Sequence, residues 1–146
     1  MYGALEISTS GMIAQRTRIN VIAANIANAS TVMDSEGNAM PYQRRIALFS
    51  EGASSGRPGD RSLGVRVQQI ALDDAPFRQV YDPSHPLAAK ETDESRGLVE
   101  GYVRYPNVDT TVETINSIEA ARAYEANVAA AEATKSMLAQ ALRLIA

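Results

Sequence analysis

Residues 108–145 read VDTTVETINSIEAARAYEANVAAAEATKSMLAQALRLI and determine most of the architecture of this chain. The stretch contains neither Gly nor Pro. It predicts one unbroken helix of about 37 residues and about 55 Å, longer than the ~30 Å diameter of a small domain. Asn107 or Asp109 can cap its start, and Glu113 adds favourable negative charge near the positive end of the helix dipole. Helical spacing defines one apolar stripe, which consists of Val112, Ile115, Ile118, Ala121, Val128, Ala131, Leu138, Leu142 and Ile145.

A second, shorter helix is predicted over residues 3–28. Gly3 and Gly11 each weaken an isolated helix by about 1 kcal/mol, so this helix needs a packing partner. Ser8 and Gln15 occupy stripe positions and make the seam narrow and partly polar. The apolar members of the stripe follow helical spacing and are Leu5, Met12, Ile19, Ile22 and Ile26.

The middle of the chain has the pattern of short strands joined by turns. Residues 42–49, 65–72, 77–81 and 98–105 have strand character, and a change in the phase of alternation predicts a bulge near residues 68 and 69. Residues 50–62 read as an exposed loop. The prediction is an α+β fold, in which long N- and C-terminal helices pack as a coiled-coil-like pair around a small β-rich middle insert. Its segments are residues 1–30, 31–106 and 107–146.

Composition excludes several classes of function. The 146 residues carry 14 basic and 17 acidic groups, a net charge of −3, so no basic excess favours nucleic-acid binding. The absence of Cys excludes disulfides and thiolate catalysis. No apolar run approaches the ~18 residues of a transmembrane helix, so stable membrane insertion is not expected. Arg16 and Arg18 interrupt the region where the apolar segment of a cleaved signal peptide would lie.

No pattern of side chains predicts a catalytic, cofactor-binding or metal-binding site. His85 is the only His and lies in a Pro-containing turn, without a second His or Cys to complete a transition-metal site. Asp73 and Asp74 are adjacent on a strand and would point to opposite faces. No Gly-x-Ser-x-Gly motif is present. We therefore expect no cofactor and no enzymatic activity.

The helical stripes instead indicate assembly. The insert and the shorter helix cannot cover a helix of this length, and an uncovered apolar stripe requires another chain, a membrane surface or disorder. We therefore expect both ends of the free chain to be disordered. One alternative is an extended helical hairpin in a monomer. Another is a peripheral membrane or coiled-coil adaptor that uses residues 129–146, although only Lys135 and Arg143 are basic there.

Asn25 and Asn28 stand apart because they share nearly one helical face near the end of the first helix. They fit two interpretations equally well. They could end the helix with local turn hydrogen bonds, or they could bond across a helix interface and fix its register.

Several motifs resemble those of the bacterial flagellar rod and hook proteins. SGMIAQR at 10–16 and ANIANA at 24–29 are similar to the N-terminal signature of this axial family. YDPSHP at 81–86 and YPNV at 105–108 are similar to segments of its proximal-rod members. ARAYEAN at 121–127 also looks alike and adds Tyr124 to the candidate interface. The resemblance spans nearly the whole chain, although residues 87–99 look longer and more charged than the usual connection.

The resemblance implies a non-enzymatic subunit of the flagellar basal-body rod. By analogy, the terminal helices would form the inner tube, which transmits torque and lines the export channel. The subunit would leave the cell through the type III export apparatus without a cleaved signal, and would assemble in the periplasm with copies of itself and other axial proteins. The resemblance favours the interface interpretation of Asn25 and Asn28, which join Gln15 and the two stripes as candidate interface residues.

Overall fold

The computed structural model describes residues 2–52, 64–93 and 97–145, with side chains from residue 3 to residue 143. Along the sequence, one helix precedes and one helix follows the strands of two small antiparallel sheets, which confirms the predicted α+β class. Within the described ranges, neither helix is long and apolar enough to cross a membrane. The elements are α1 (Tyr2–Ala27), β1 (Arg45–Glu51), β2 (Val65–Leu72), β3 (Arg78–Tyr81), β4 (Tyr102–Tyr105) and α2 (Thr110–Ile145).

The two helices pack against each other in an antiparallel pair. Asn25 of α1 bonds to Glu113 of α2, and Gly11 lies against Asn127. On each helix, the two contacts are separated by two heptads, and the heptad is the repeat of a coiled-coil seam. The 36 residues of α2 extend for about 54 Å and the 26 residues of α1 for about 39 Å. In this register, the last turns of α2 continue past the start of α1.

Small residues set the distance between the helices. Ala14 and Ala120 are almost completely buried in the seam. A Cβ atom placed on Gly11 would lie 2.6 Å from Oδ1 of Asn127, closer than side chains tolerate. The helices therefore approach closely, and the large aliphatic side chains of α2 have little room between them.

The first sheet pairs β1 with β2 and packs against α1. Leu48 faces Gln69 and the next residue, Phe49, faces Val67, which leaves Gln68 without a partner. This extra residue confirms the bulge predicted near residues 68 and 69. The prediction that the loop begins at residue 50 is wrong, because β1 continues to Glu51. Residues 53–62 of that predicted loop lie outside the described residues.

The second sheet pairs β3 with β4. Val103 is buried in β4, and the rings of Tyr81 and Tyr102 lie 5.2 Å apart. β4 is shorter than the predicted strand at 98–105, because Gly101 adopts a φ of 78° and turns the chain immediately before Tyr102. This sheet leads directly into the start of α2.

Candidate assembly interface

A polar cluster that is buried at Asn25 and Glu113 and partly buried elsewhere joins the two helices to the chain around β1 and β2. We call it the junction cluster, and it consists of Asn25, Tyr42, Arg44, Asp73 and Glu113. Asn25 and Glu113 are each 1% exposed. Because buried polar groups need partners, this cluster fixes the position of α1 relative to α2 and to the first sheet.

Asn25 uses the whole hydrogen-bonding capacity of its amide. Its Nδ2 donates to the carbonyl oxygen of Arg45 at 2.8 Å and to Oε2 of Glu113 at 2.9 Å. Its Oδ1 accepts from the backbone N–H of Arg45 and from the Tyr42 hydroxyl, both at 3.0 Å. Burial raises the pKa of Tyr42, which keeps this hydroxyl a proton donor. The amide thus pairs with the Arg45 backbone as a neighbouring strand would.

Glu113 and Arg44 form the charged part of the cluster. Nε and Nη2 of Arg44 donate to Oε1 of Glu113 at 3.0 and 2.6 Å. Nη1 of the same guanidinium donates to Oδ2 of Asp73 at 3.0 Å. The backbone N–H of Ala75 and the Arg44 guanidinium lower the pKa of Asp73 below its ordinary value. Arg44 therefore links α2 to the end of β2.

The start of α2 is held separately. Oδ1 of Asp109 accepts from the backbone N–H groups of Thr111 and Val112, and these bonds lower the pKa of Asp109. Asp109 is thus the cap, one of the two predicted alternatives. Asn107 instead bonds to the backbone of Arg44, Asp73 and Ala75. The two residues together orient the helix from its first turn.

The candidate interface residues of α1 divide between the seam and the surface. Ile22 and Asn25 are buried, and Ile26 is exposed. Asn28 bonds locally, donating to the carbonyl of Ala24 and accepting from the Thr31 hydroxyl, so its contacts belong to the end of the helix. Partly buried positions are Leu5, Met12, Gln15 and Ile19.

Five of the α2 candidates are exposed and four are partly buried. Val112, Ile115 and Ile118 form an exposed ridge along the first turns, and Tyr124 and Leu142 are exposed separately, farther along the helix. The partly buried candidates are Ala121, Val128, Ala131 and Leu138. The side chain of Ile145 lies outside the described residues. The face that meets α1 includes Glu113, Ala120 and Asn127 instead. Contacts with another chain therefore stay a prediction for the exposed members.

Sequence reasoning missed the charged pair of the junction cluster. From the sequence, Glu113 is predicted only to complement the helix dipole, and Arg44 is not among the predicted site residues. The available signal is the position of Arg44 within the predicted strand at 42–49, because a charged side chain that a strand places inward requires a carboxylate partner. Ala14 and Ala120 are also absent from the predicted stripes, although they are 1% and 0% exposed.

The residues weighed earlier for catalysis have local structural roles. Asp73 pairs with Arg44, and Asp74 is exposed. Nδ1 of His85 accepts from the backbone N–H of Leu87 within a turn. Among the described residues, no three His, Cys, Asp or Glu side chains are grouped to hold a metal ion. The geometry at these positions is that of turns and of the junction cluster.

Comparisons with known proteins agree with this architecture. The family model described as "Flagella basal body rod protein" matches residues 5–32, and the one described as "Flagellar basal body rod FlgEFG protein C-terminal" matches residues 99–144. The flagellar basal-body rod protein FlgC of Yersinia enterocolitica is 42% identical over 139 residues, which cover 95% of this chain and 93% of that protein. FlgC of Bacillus subtilis (strain 168) is 38% identical over 155 residues, covering 98% and 97%. The chain belongs to the FlgC family of flagellar basal-body rod proteins.

Proposed function

We propose that this chain is a structural subunit of the flagellar basal-body rod, which assembles through α1 and α2 into an axial tube. The observation that carries the proposal is similarity to FlgC proteins along nearly their whole length, with family models matching the regions of both helices. In this role the chain has no catalytic residue and no cofactor. The tube transmits torque along its axis and lines the export channel.

The surface of the helices supports assembly. Ile13 of α1, Ile115 of α2 and Leu142 of α2 are each more than half exposed, at 63%, 56% and 67%. Aliphatic side chains on two long helices gain stability when a neighbouring helix covers them. The exposed ridge of α2 points away from the seam with α1, so a second chain can reach it without separating the two helices.

The junction cluster supports a mechanical role. Asn25 and Arg44 tie two helices and the first sheet together through charged and fully paired polar groups. Torque along an axis requires subunits that do not slide or deform, and buried polar groups at specific positions fix register. We assign rod-core roles to residues 1–30 and 107–146, and an outer packing role to residues 31–106.

The partners follow from the same proposal. They are copies of this chain and neighbouring axial proteins of the proximal and distal rod. The site of assembly is the basal body, in the part of the rod that crosses the periplasm. The chain reaches that site through the flagellar type III export apparatus, and the terminal helices become ordered when neighbours cover them.

Replacement of the native protein tests this function. The chain is expressed in a flagellated bacterium that lacks its own FlgC, and purified basal bodies are analysed by mass spectrometry and cryo-electron microscopy. We expect the chain in the rod and recovery of swimming. Ile115→Asp is expected to remain folded and to be absent from basal bodies, whereas the matched control Ile115→Val incorporates. Exclusion of the unchanged chain would refute the function, and normal incorporation of Ile115→Asp would refute the assigned surface.

A further inference from the structure

The chain that follows β3 is held by its own polar groups. Oδ1 of Asp82 accepts from the backbone N–H and from the hydroxyl of Ser84, at 3.1 and 2.6 Å. The backbone N–H of His85 donates to the carbonyl oxygen of Asp82, and that of Ala88 donates to the carbonyl oxygen of His85. These bonds form two consecutive turns. The path of the chain from residue 82 to residue 88 therefore depends on hydrogen bonds between near neighbours.

The imidazole of His85 adds one hydrogen bond that depends on its charge. Nδ1 accepts from the backbone N–H of Leu87 at 3.1 Å. A ring nitrogen accepts only when it carries no proton, so this bond requires the neutral ring with its proton on Nε2. In the imidazolium both nitrogens are donors, and the N–H at Nδ1 would face the N–H of Leu87. Histidine is the side chain whose charge ordinarily changes between pH 5 and pH 8, so proton uptake in this range removes the bond.

Leu87 connects this hydrogen bond to the core of the middle segment. Its side chain is partly buried and lines a small cavity together with Pro41, Leu98 and Val103. Pro41 and Val103 are themselves buried, and Val103 belongs to β4. Leu87 therefore lies between the second sheet and the segment that connects α1 to β1.

Ala89 attaches the same stretch to β4 through its backbone. Its N–H donates to the carbonyl oxygen of Tyr102 at 3.1 Å, and its carbonyl oxygen accepts from the N–H of Gly101 at 2.9 Å. A Cβ atom on Gly101 would lie 2.8 Å from Cε2 of Tyr81, so the chain passes closely here. We call residues 85–89 the strap, because they cross the start of β4. The imidazole holds the strap at Leu87, and backbone bonds hold it at Ala89.

The charged side chains that face the imidazole come from three segments. Lys90 directly follows the strap, and Glu100 lies just before β4; both line one cavity with His85. Asp82 belongs to the turn itself. The Ser84 hydroxyl lowers the pKa of the Asp82 carboxyl below its ordinary value, and the nearby His85 lowers it further. The imidazolium, once it forms, is therefore attracted to Asp82 and Glu100 rather than to the N–H of Leu87.

We propose that His85 is a pH-sensitive switch that holds the strap on β4 when neutral and releases it when protonated. At pH 8 the neutral ring accepts from Leu87. At pH 5 the imidazolium loses this bond and is drawn to Asp82 and Glu100, and the strap loosens while the sheets and helices stay folded. The stabilisation is present at high pH and is lost as the pH falls, because only the neutral ring makes the bond. The switch does not rest on the proposed function.

NMR spectroscopy of the full chain, at a concentration where it is monomeric, tests the switch. His85 is the only His, so its ring signals need no further assignment. At pH 8 we expect the ring proton on Nε2. Between pH 8 and pH 5 the protection factor of the Leu87 amide, which corrects for the pH dependence of intrinsic exchange, should fall about fivefold, because one neutral hydrogen bond is lost. A ring proton on Nδ1 at pH 8, or equal protection at the two pH values, would overturn the proposal.

Two replacements of His85 separate the switch from other effects of pH. His85→Asn keeps an acceptor two residues before Leu87, in the geometry of an Asx turn, but does not titrate. His85→Ala removes the acceptor at every pH. At both pH values, we expect the Asn variant to protect the Leu87 amide within about twofold of the unchanged chain at pH 8, and the Ala variant to protect it about fivefold less. An Asn variant that keeps the pH dependence, or an Ala variant as protected as the unchanged chain at pH 8, would contradict the switch.

Discussion

Replacing Arg44 by Met tests whether the junction cluster holds a buried charge. The side chain of Glu113 is 1% exposed and that of Arg44 is 22% exposed. Arg44→Met removes two short bonds to Oε1 and the only cation paired with this carboxylate in the described structure. Removing one partner of a buried ion pair costs about 3–5 kcal/mol. Because Arg44 is partly exposed, we expect a loss near the lower end, about 3 kcal/mol, and a fall in Tm of roughly 10 °C.

The measurement is urea unfolding of the full chain at pH 7, followed by far-ultraviolet circular dichroism. Arg18→Met is the matched control, because Arg18 and Glu119 form a longer, 3.4 Å pair with both side chains partly or largely exposed. Exposed pairs contribute less than about 1 kcal/mol. A double variant, Arg44→Met with Glu113→Leu, removes the stranded charge and should recover at least about 1 kcal/mol of the loss.

Two results would refute this reasoning. Equal destabilisation by Arg44→Met and Arg18→Met would mean that the buried carboxylate does not depend on its guanidinium partner. Additive effects of Arg44→Met and Glu113→Leu in the double variant would mean that the two residues are not coupled.

The remaining predictions concern pH, a close backbone approach and the two faces of α1. Asp73 has a lowered pKa in the folded chain, so its contribution to stability is present above about pH 4 and is lost as the pH falls below it; in urea titrations from pH 7 to pH 3, Asp73→Asn should reduce this acid sensitivity. Gly64 and Gly37 both have positive φ, so an Ala at either position costs about 1–2 kcal/mol of backbone strain. Only Gly64 also contacts α1, so Gly64→Ala should destabilise the chain more than Gly37→Ala. Equal melting temperatures of the two variants would contradict this. Ile13→Asp, at a 63% exposed position, should change the free energy of unfolding by less than about 1 kcal/mol, whereas Ile22→Asp, at a buried one, should cost more than about 3 kcal/mol in the same urea assay.

The elements with strong local signals were predictable from the sequence. The absence of Gly and Pro after residue 107 predicted α2 to within about two residues of its start, Thr110. The bulge at Gln68 followed from the phase change between the alternating residues of β2. Both features depend on neighbours in sequence, and local pattern is sufficient for such features.

The seam between α1 and α2 was harder to predict, because the residues that fit in it depend on the size and polarity of the side chains on the opposite helix. Large aliphatic residues defined the predicted stripe of α2, but Gly11, Ala14 and Asn25 of α1 accept only small or polar partners. α2 therefore presents Ala120 and Asn127 to α1 and leaves its aliphatic ridge exposed. A single sequence does not show which apolar residues of α2 contact α1 and which contact a second chain.

The junction cluster could not be predicted from local sequence pattern, for a different reason. Arg44 and Glu113 meet from distant parts of the chain, and neither lies in a motif whose spacing predicts the other. An inward-facing Arg predicts that some carboxylate is near, but several acidic residues follow it in the sequence. Only the path of β1 and β2 across α1 selects Glu113 and Asp73.

The amide of Asn25 has a consequence for the gene that encodes this chain. Aspartate would keep the acceptors for Arg45 and Tyr42 but lose both donors and place a second negative charge beside Glu113. Serine, threonine, histidine, lysine, tyrosine and isoleucine, the other residues that one base change of an asparagine codon produces, lack either two donors or two acceptors of this shape. Glutamine has both, but it is longer and no single base change reaches it. Every single-base change that replaces Asn25 therefore disrupts the hydrogen bonds of the junction cluster, and glutamine can be reached only through such a change.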